Sequence, residues 1–328
     1  MAIPEKKPYE QLSKYLERVL PGELEAGKSR GKATADIIAK FNAPPKKEMF
    51  APFIIPSKFG FANSATGSAG GGDADADAYI AAVTTAGGTL SGAEETAIQT
   101  FYTDLKTAGV YSQLICMYPF MGGTAGSHAI DGINPGGSYD LTFFGGWTHS
   151  SSGAKSNGTN AYANTNFNPE ALSIAWDNFH GGYYNTFNNA TGGERYAFGA
   201  LDRSGTDKWI APRIMSATTE RMNFGGADDT YTIPVTQIGQ RLVYGDGTST
   251  FKIRLDGTEV GFNTYAFTTP NANLNLYIGC MNFNGSDYGH VENEYIFTHF
   301  GNSLTSTQAT DLETAINDLQ TSLGRNTY

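Results

Sequence analysis

A mainly β fold, two antiparallel sheets packed as a sandwich with short helices before it and one helix after it, is what this sequence predicts. Three observations predict it. From residue 111 onward the apolar residues stop recurring at spacings of three and four and begin to alternate, the period of a strand with one buried face. The strand-length runs there are separated by the turn pairs Asn157-Gly158, Asp246-Gly247, Asp256-Gly257 and Asn284-Gly285. The chain is 12% aromatic and only 16% charged, which suits large core side chains beneath a polar surface.

The elements follow in order. Tyr9, Leu12, Tyr15, Leu16, Val19 and Leu20 draw one apolar stripe on a helix that ends at Pro21. The rest of residues 1–60 has little to pack that stripe against, so this segment reads as an anchoring arm, ordered on a partner through Tyr9, Leu12, Leu16 and Val19. Residues 61–72 form a Gly/Ser-rich linker. Within 73–110 two short helices are expected: one with Asp73, Asp75 and Asp77 as cap and first-turn acids and Gly87-Gly88 as its stop, the next opened by the capping box Ser91-x-x-Glu94 and closed by Gly109. The second carries Ile98, Phe101, Tyr102 and Leu105 on one face, and the pair is read as a collar joining copies of the chain, a trimer being favoured. Strands are expected at 111–118, 141–144, 172–176, 195–198, 209–215, 241–244, 251–255, 274–280 and 294–300. A second capping box, Thr305-x-x-Gln308, opens a helix over 305–323 with Gly324 after it.

Charge divides the chain at the same place. Residues 1–60 hold 11 Lys+Arg against 7 Asp+Glu, net +4, and residues 61–328 hold 11 against 25, net −14, which sum to −10. Acids interspersed through so weakly basic an arm argue against phosphate tracking, so no nucleic acid is expected and a protein partner is. No run approaches 18 apolar residues and the N-terminus has no apolar signal region, so synthesis in a cytoplasm and no membrane span are expected. Cys116 and Cys280 lie in apolar runs and read as buried free thiols.

Several motifs invite chemistry. Gly22-Glu-Leu-Glu-Ala-Gly27-Lys28-Ser29 spells a phosphate loop, but Pro21 stands where a strand is required and Glu23 and Glu25 would repel a phosphate, so it reads as a turn. Glu292-Asn293-Glu294 has the alternate spacing of a glycosidase carboxylate pair, without a third acid and at a strand entrance. The five histidines show no metal-ligand spacing, so no metal and no cofactor are expected; Asp228-Asp229 and Asp202 to Asp207 are the loop acids with which calcium remains possible. Aromatics and amides gather at Trp176, Asp177, Asn178, His180, Tyr183 and Tyr184, read as a loop whose rings and amides suit a sugar, though a core or an interface explains them equally.

Ala74-Asp-Ala-Asp-Ala-Tyr-Ile80, Tyr118-Pro-Phe-Met-Gly-Gly-Thr-Ala-Gly-Ser-His128 and Leu141-Thr-Phe-Phe-Gly-Gly-Trp147-Thr-His149-Ser-Ser-Ser-Gly-Ala154 resemble a family of tailed-bacteriophage virion proteins. Leu255-Asp-Gly257, Tyr277-Ile-Gly279 and the strand-then-helix ending from Glu294 are similar to the concanavalin A-like lectin/glucanase sandwich those proteins carry. The resemblance covers residues 73–328. It implies a jelly-roll sandwich over 111–328 and a structural role in a virion as head fibre, decoration or tail-associated protein. The arm would then dock on a capsid or tail protein, and the chain would be made in a host bacterial cytoplasm. No catalytic activity is expected; the alternatives are a carbohydrate-binding adhesion module for host or mucosal glycans and, third, a glycoside hydrolase.

Overall fold

The computed structural model describes residues 72–189, 194–204, 208–216, 219–225, 233–234, 238–247, 250–264 and 271–327. They lie in one compact unit, Ala69–Tyr328. The arm residues Tyr9, Leu12, Leu16 and Val19, Lys28 of the phosphate-loop pattern, and Asp228-Asp229 lie outside the described residues.

Helix α1 (Ala74–Thr85) starts where Asp73 accepts hydrogen bonds from the amides of Asp75 and Ala76. Helix α2 (Gly92–Thr107) starts at the Ser91/Glu94 capping box, and Lys106 in its last turn reaches back to Asp73 and Asp75, each at 2.6 Å. A one-turn α3 (Ala125–Ala129) follows, and α4 (Ser306–Ser322) opens at the Thr305/Gln308 box. The strands are β1 (Leu114–Tyr118), β2 (Thr142–Phe144), β3 (Trp147–Ser150), β4 (Gly153–Ser156), β5 (Tyr162–Asn164), β6 (His180–Asn189), β7 (Arg195–Tyr196), β8 (Phe198–Asp202) and β9 (Lys208–Ser216). They continue with β10 (Thr219–Gly225), β11 (Ile233–Pro234), β12 (Gly239–Gly245), β13 (Thr250–Leu255), β14 (Thr258–Thr264), β15 (Tyr277–Ile278), β16 (Met281–Phe283), β17 (Ser286–Tyr288) and β18 (Glu292–Gly301).

These strands form two sheets. The first runs β14-β13-β12-β6-β18-β4-β3, with β1 also on β18; the second runs β11-β10-β9-β8-β15-β5-β2, with β16 on β8 and β17, and β7 on β9. Pairing is antiparallel except for β16 with β8. Between the sheets lies an aromatic core: Tyr183, Val243, Tyr295 and Phe300 from the first meet Ala163, Phe198, Ile210 and Ile278 from the second. Two hairpins close on the turns their sequences call for. Asp256-Gly257 and Asn284-Gly285 have φ of 47° and 76°, and 48° and 90°, the doubly positive pattern that matches strand twist.

The first sheet's outer face is covered by helices. Tyr184, Leu242, Tyr244, Ile296 and Phe297 from the sheet, Phe101 and Leu105 from α2, and Leu312, Ile316 and Leu319 from α4 make a second apolar cluster, in which the Phe101 ring meets Phe297 edge-on at 5.5 Å. The collar is therefore corrected: the stripe of α2 is buried against its own sheet and α4 and offers no apolar face to another copy. Replacing Phe101 and Leu105 together with Asp is expected to abolish the cooperative thermal transition, because two charges would enter a dry core. A folded variant with reduced mass by light scattering would restore the collar.

Two strand assignments are corrected as well. Residues 172–176 form no strand; Ser173, at φ 57°, makes a turn that donates to the Glu170 carbonyl. The segment from His180, read as a loop, is the ten-residue strand between β12 and β18.

Candidate functional site

The six residues read as a sugar-binding loop are structural in this chain. Trp176 is 1% exposed within the sandwich core, and Tyr183 packs on Phe198 and Tyr295, both at 6.2 Å. Tyr184 points to the helical side, where its hydroxyl donates to Asn326 Oδ1 at 3.0 Å and accepts from the Thr327 amide at 2.9 Å. His180 is buried beside His299, its Nδ1 on the Asn302 carbonyl. The Asn178 side chain accepts from the Ser303 amide and hydroxyl, and the Asp177 carbonyl accepts from the Gly247 amide. His180, Tyr183 and Tyr184 gather here because a central strand packs on both of its faces, and Trp176, Asp177 and Asn178 because the single helical turn before it is tied into the adjoining loops.

Glu292 and Glu294 share the outer face of β18 at its first turn of pleat. Glu292 accepts from Asn189 Nδ2 at 2.8 Å and pairs with Lys155 at 3.1 Å, and these bonds hold its carboxyl below the usual range; Glu294 accepts from Thr186 Oγ1 at 2.7 Å. A general acid needs the opposite shift from that of Glu292, and both side chains are engaged as cross-strand ties. Asp202 accepts from the Ser204 and Asn273 amides, stapling two loops. Among the described residues no group of three or more His, Cys, Asp or Glu is placed to hold a metal. Cys116 and Cys280 are free and buried. The fold does join two histidines that sequence spacing left apart: His128 Nδ1 and His149 Nδ1 lie 3.0 Å apart, with burial pushing His128 down to about 3.

The exposed feature the sequence reading missed lies on the outer face of the second sheet. There Phe143, Ala163 and Ile278 turn inward to the core, so their neighbours turn outward. Phe144 on the edge strand β2 is opposite Tyr162 on β5, and Tyr277 on β15 sits one diagonal step further on. Phe144 and Tyr162 stack at 4.7 Å and 13°, and Tyr162 and Tyr277 at 4.7 Å and 25°. Phe144 is 42% exposed. Beside Tyr162, the His290 ring lies 6.3 Å away, with Nε2 2.8 Å from Asp287 Oδ2 and Nδ1 3.3 Å from the Ala161 carbonyl. Burial first, then Asp287, lifts the Tyr162 phenol above its ordinary range; Tyr277 is lifted by burial, then Tyr162. Both hydroxyls are therefore protonated donors at neutral pH. The only sequence signal for this row is the in-out alternation at Phe143-Phe144, and joining it to Tyr277 requires the strand order.

Compared with known proteins, the chain matches no family model and no curated protein. Among solved structures it is similar to Trypanosoma rangeli sialidase in complex with sialic acid (TM-score 0.47, 12% identity, 66% of this chain, 38% of that one). It is also similar to domain 4 of AbnA, a GH43 extracellular arabinanase from Geobacillus stearothermophilus in complex with arabinotriose (0.41, 17%, 61% and 98%). A third match is the NanB sialidase of Streptococcus pneumoniae (0.35, 12%, 44% and 25%). The chain thus spans only a quarter to two fifths of those sialidases. The expectation of a chain without catalytic activity is corrected on this finding, since the sialidases matched are enzymes. At these scores the likeness is one of β architecture, and no residue here takes a role from it.

Proposed function

We propose that this chain is a structural component of a tailed-phage particle, a head-fibre, decoration or tail-associated protein, that presents a concanavalin A-like jelly-roll sandwich for binding host or mucosal glycans. The observation that carries glycan binding is the Phe144–Tyr162–Tyr277 row. It is an aromatic strip with Phe144 exposed and Tyr162 and Tyr277 half-buried, with phenolic, carboxylate and imidazole groups beside it, on a sheet whose other side is core. Apolar ring faces suit sugar C–H surfaces and the polar groups suit hydroxyls. The virion half rests on the resemblance of residues 74–80, 118–128 and 141–154 to phage virion proteins. In this reading the basic arm docks on a capsid or tail protein through Tyr9, Leu12, Leu16 and Val19. The particle then gains avidity from several copies, a trimer being the favoured form.

A glycan array probed with the full chain and with Tyr162→Ala tests the binding half: signal on a restricted set of glycans, lost in the variant, is expected. A silent array, or equal signal from both proteins, overturns it. Gold-labelled antibody on purified particles tests the virion half, which unlabelled particles overturn.

A further inference from the structure

We propose that the row selects neutral glycans, seating a pyranose C–H face on the outward face of Phe144, and turns acidic glycans away. This rests on the glycan-binding reading above and names the class of ligand for that site.

The geometry supplies one flat plate. Strand β2 ends the second sheet, so among the described residues no strand lies beyond Phe144 on that side. Tyr162 stacks on one face of the Phe144 ring at 13°, so the 42% of the residue that stays exposed is its other face and its rim. Tyr162 is sandwiched between Phe144 and Tyr277 and presents its edge and hydroxyl instead of a face. A ladder of stacked rings therefore differs from a coplanar platform: it takes one sugar ring at its end and hydrogen-bonds the neighbouring hydroxyls along its edge.

The charge around the row decides which sugar that is. Asp287 raises both phenols and lies 2.8 Å from Nε2 of His290 beside Tyr162, and among the described residues no Lys or Arg sits over either ring. The cation–ring contacts among the described residues fall on Tyr111, Phe187, Phe283 and Tyr244, none of them in the row. A carboxylated or sulfated sugar stacked here would lie near Asp287 without a guanidinium to meet it, on a chain that carries net −14 from residue 61 onward. A neutral sugar meets only hydrogen-bonding groups and loses nothing to this field.

The test is affinity electrophoresis of the full chain through gels containing a neutral polymer (galactomannan or a β-glucan) or an acidic one (polygalacturonate or sialylated mucin), at low and high salt. Retention by a neutral polymer is expected, insensitive to salt and weakened about tenfold or more by Phe144→Ala. The acidic polymers are expected not to retain the parent chain but to retain Asp287→Lys at low salt. Melting curves confirm that both variants fold, each change being at an exposed position. Acidic polymers that retain the parent chain as well as neutral ones, or a Phe144→Ala chain retained undiminished, overturn the selectivity and leave glycan binding standing. No retention by any of the polymers overturns glycan binding itself, and this inference with it.

Discussion

Replacing Glu313 with Ala is expected to destabilise the protein by about 3–5 kcal/mol, enough to lower its melting temperature by roughly 10 °C. Glu313 on α4 and Arg254 on β13 are 1% and 6% exposed, and they form an ion pair that joins the helix to the first sheet; Arg254 also donates to the Gly257 carbonyl in the following turn. Removing the carboxylate leaves a buried guanidinium without its counter-charge, and that loss exceeds the lost attraction in weight. The double replacement Arg254→Met with Glu313→Leu separates the two effects. It removes both charges and keeps the volume, so it is expected to recover most of the stability lost by the single change. Chemical denaturation of the three proteins at about pH 8.5, above the value of about 7 to which burial raises the Glu313 carboxyl, checks this. A single variant that loses less than about 1 kcal/mol would mean that water screens the pair as at a surface.

Acid is expected to unfold the protein steeply below pH 4 and only gently between pH 6.5 and 4.5. His128, His180 and His299 are buried, and burial holds them at about 3, at about 4 and well below the ordinary value, respectively. In the unfolded chain each titrates near 6.5, so below that pH the unfolded state binds more protons, and stability falls as pH drops toward the folded values. Two carboxyls act in the opposite sense. Burial raises Asp131 to about 6 and Glu313 to about 7, so the folded state keeps protons there that the unfolded state releases, and stability rises as pH falls through that range. Three groups against two leave about one net proton, a slope of ~1.4 kcal/mol per pH unit. Below pH 4 Asp131 and Glu313 become protonated in both states and lose their opposing effect, while Glu292, whose bonds to Asn189 and Lys155 hold its carboxyl below the usual range, adds to the loss alongside His128 and His299. Urea midpoints measured from pH 7 to pH 3.5 give the profile; a midpoint that stays flat down to pH 3.5 would sink the argument.

What was legible in the sequence is what short range decides. The boxes at Ser91/Glu94 and Thr305/Gln308 are closed by side chains three residues apart, and the Asp256-Gly257 and Asn284-Gly285 turns by backbone preference alone. Strand β6 was hidden by its glycines. Gly181-Gly182 reads as a turn, yet a Cβ on Gly182 would lie 2.5 Å from His299 Nε2 and 2.6 Å from the Arg241 carbonyl, and one on Gly181 would press on Phe300, Phe179 and Phe198. The glycines are there because neighbours fill the space, which only the assembled sheet reveals. The aromatic row was hidden for a related reason. Phe144, Tyr162 and Tyr277 come together through register between strands far apart in sequence, whereas the cluster from Trp176 to Tyr184 was conspicuous because it is contiguous.

The helices on the first sheet give the molecule a mounting side. Gly72 leads directly into Asp73, which is tied to Gln99 and Lys106 of α2, so the chain enters the described fold within the helical stratum; Arg325, bonded to the Pro119 and Phe120 carbonyls, and Thr327, on the Tyr184 hydroxyl, show that it leaves there too. Sheets stack about 10 Å apart, so both ends of the described chain emerge with the thickness of the sandwich between them and the opposite surface. Held at residue 72 or residue 327, this unit is thus held by its back. A tether at residue 72 or residue 327 is accommodated without obstructing the far surface, and a change in a loop on that surface leaves the side of attachment as it is.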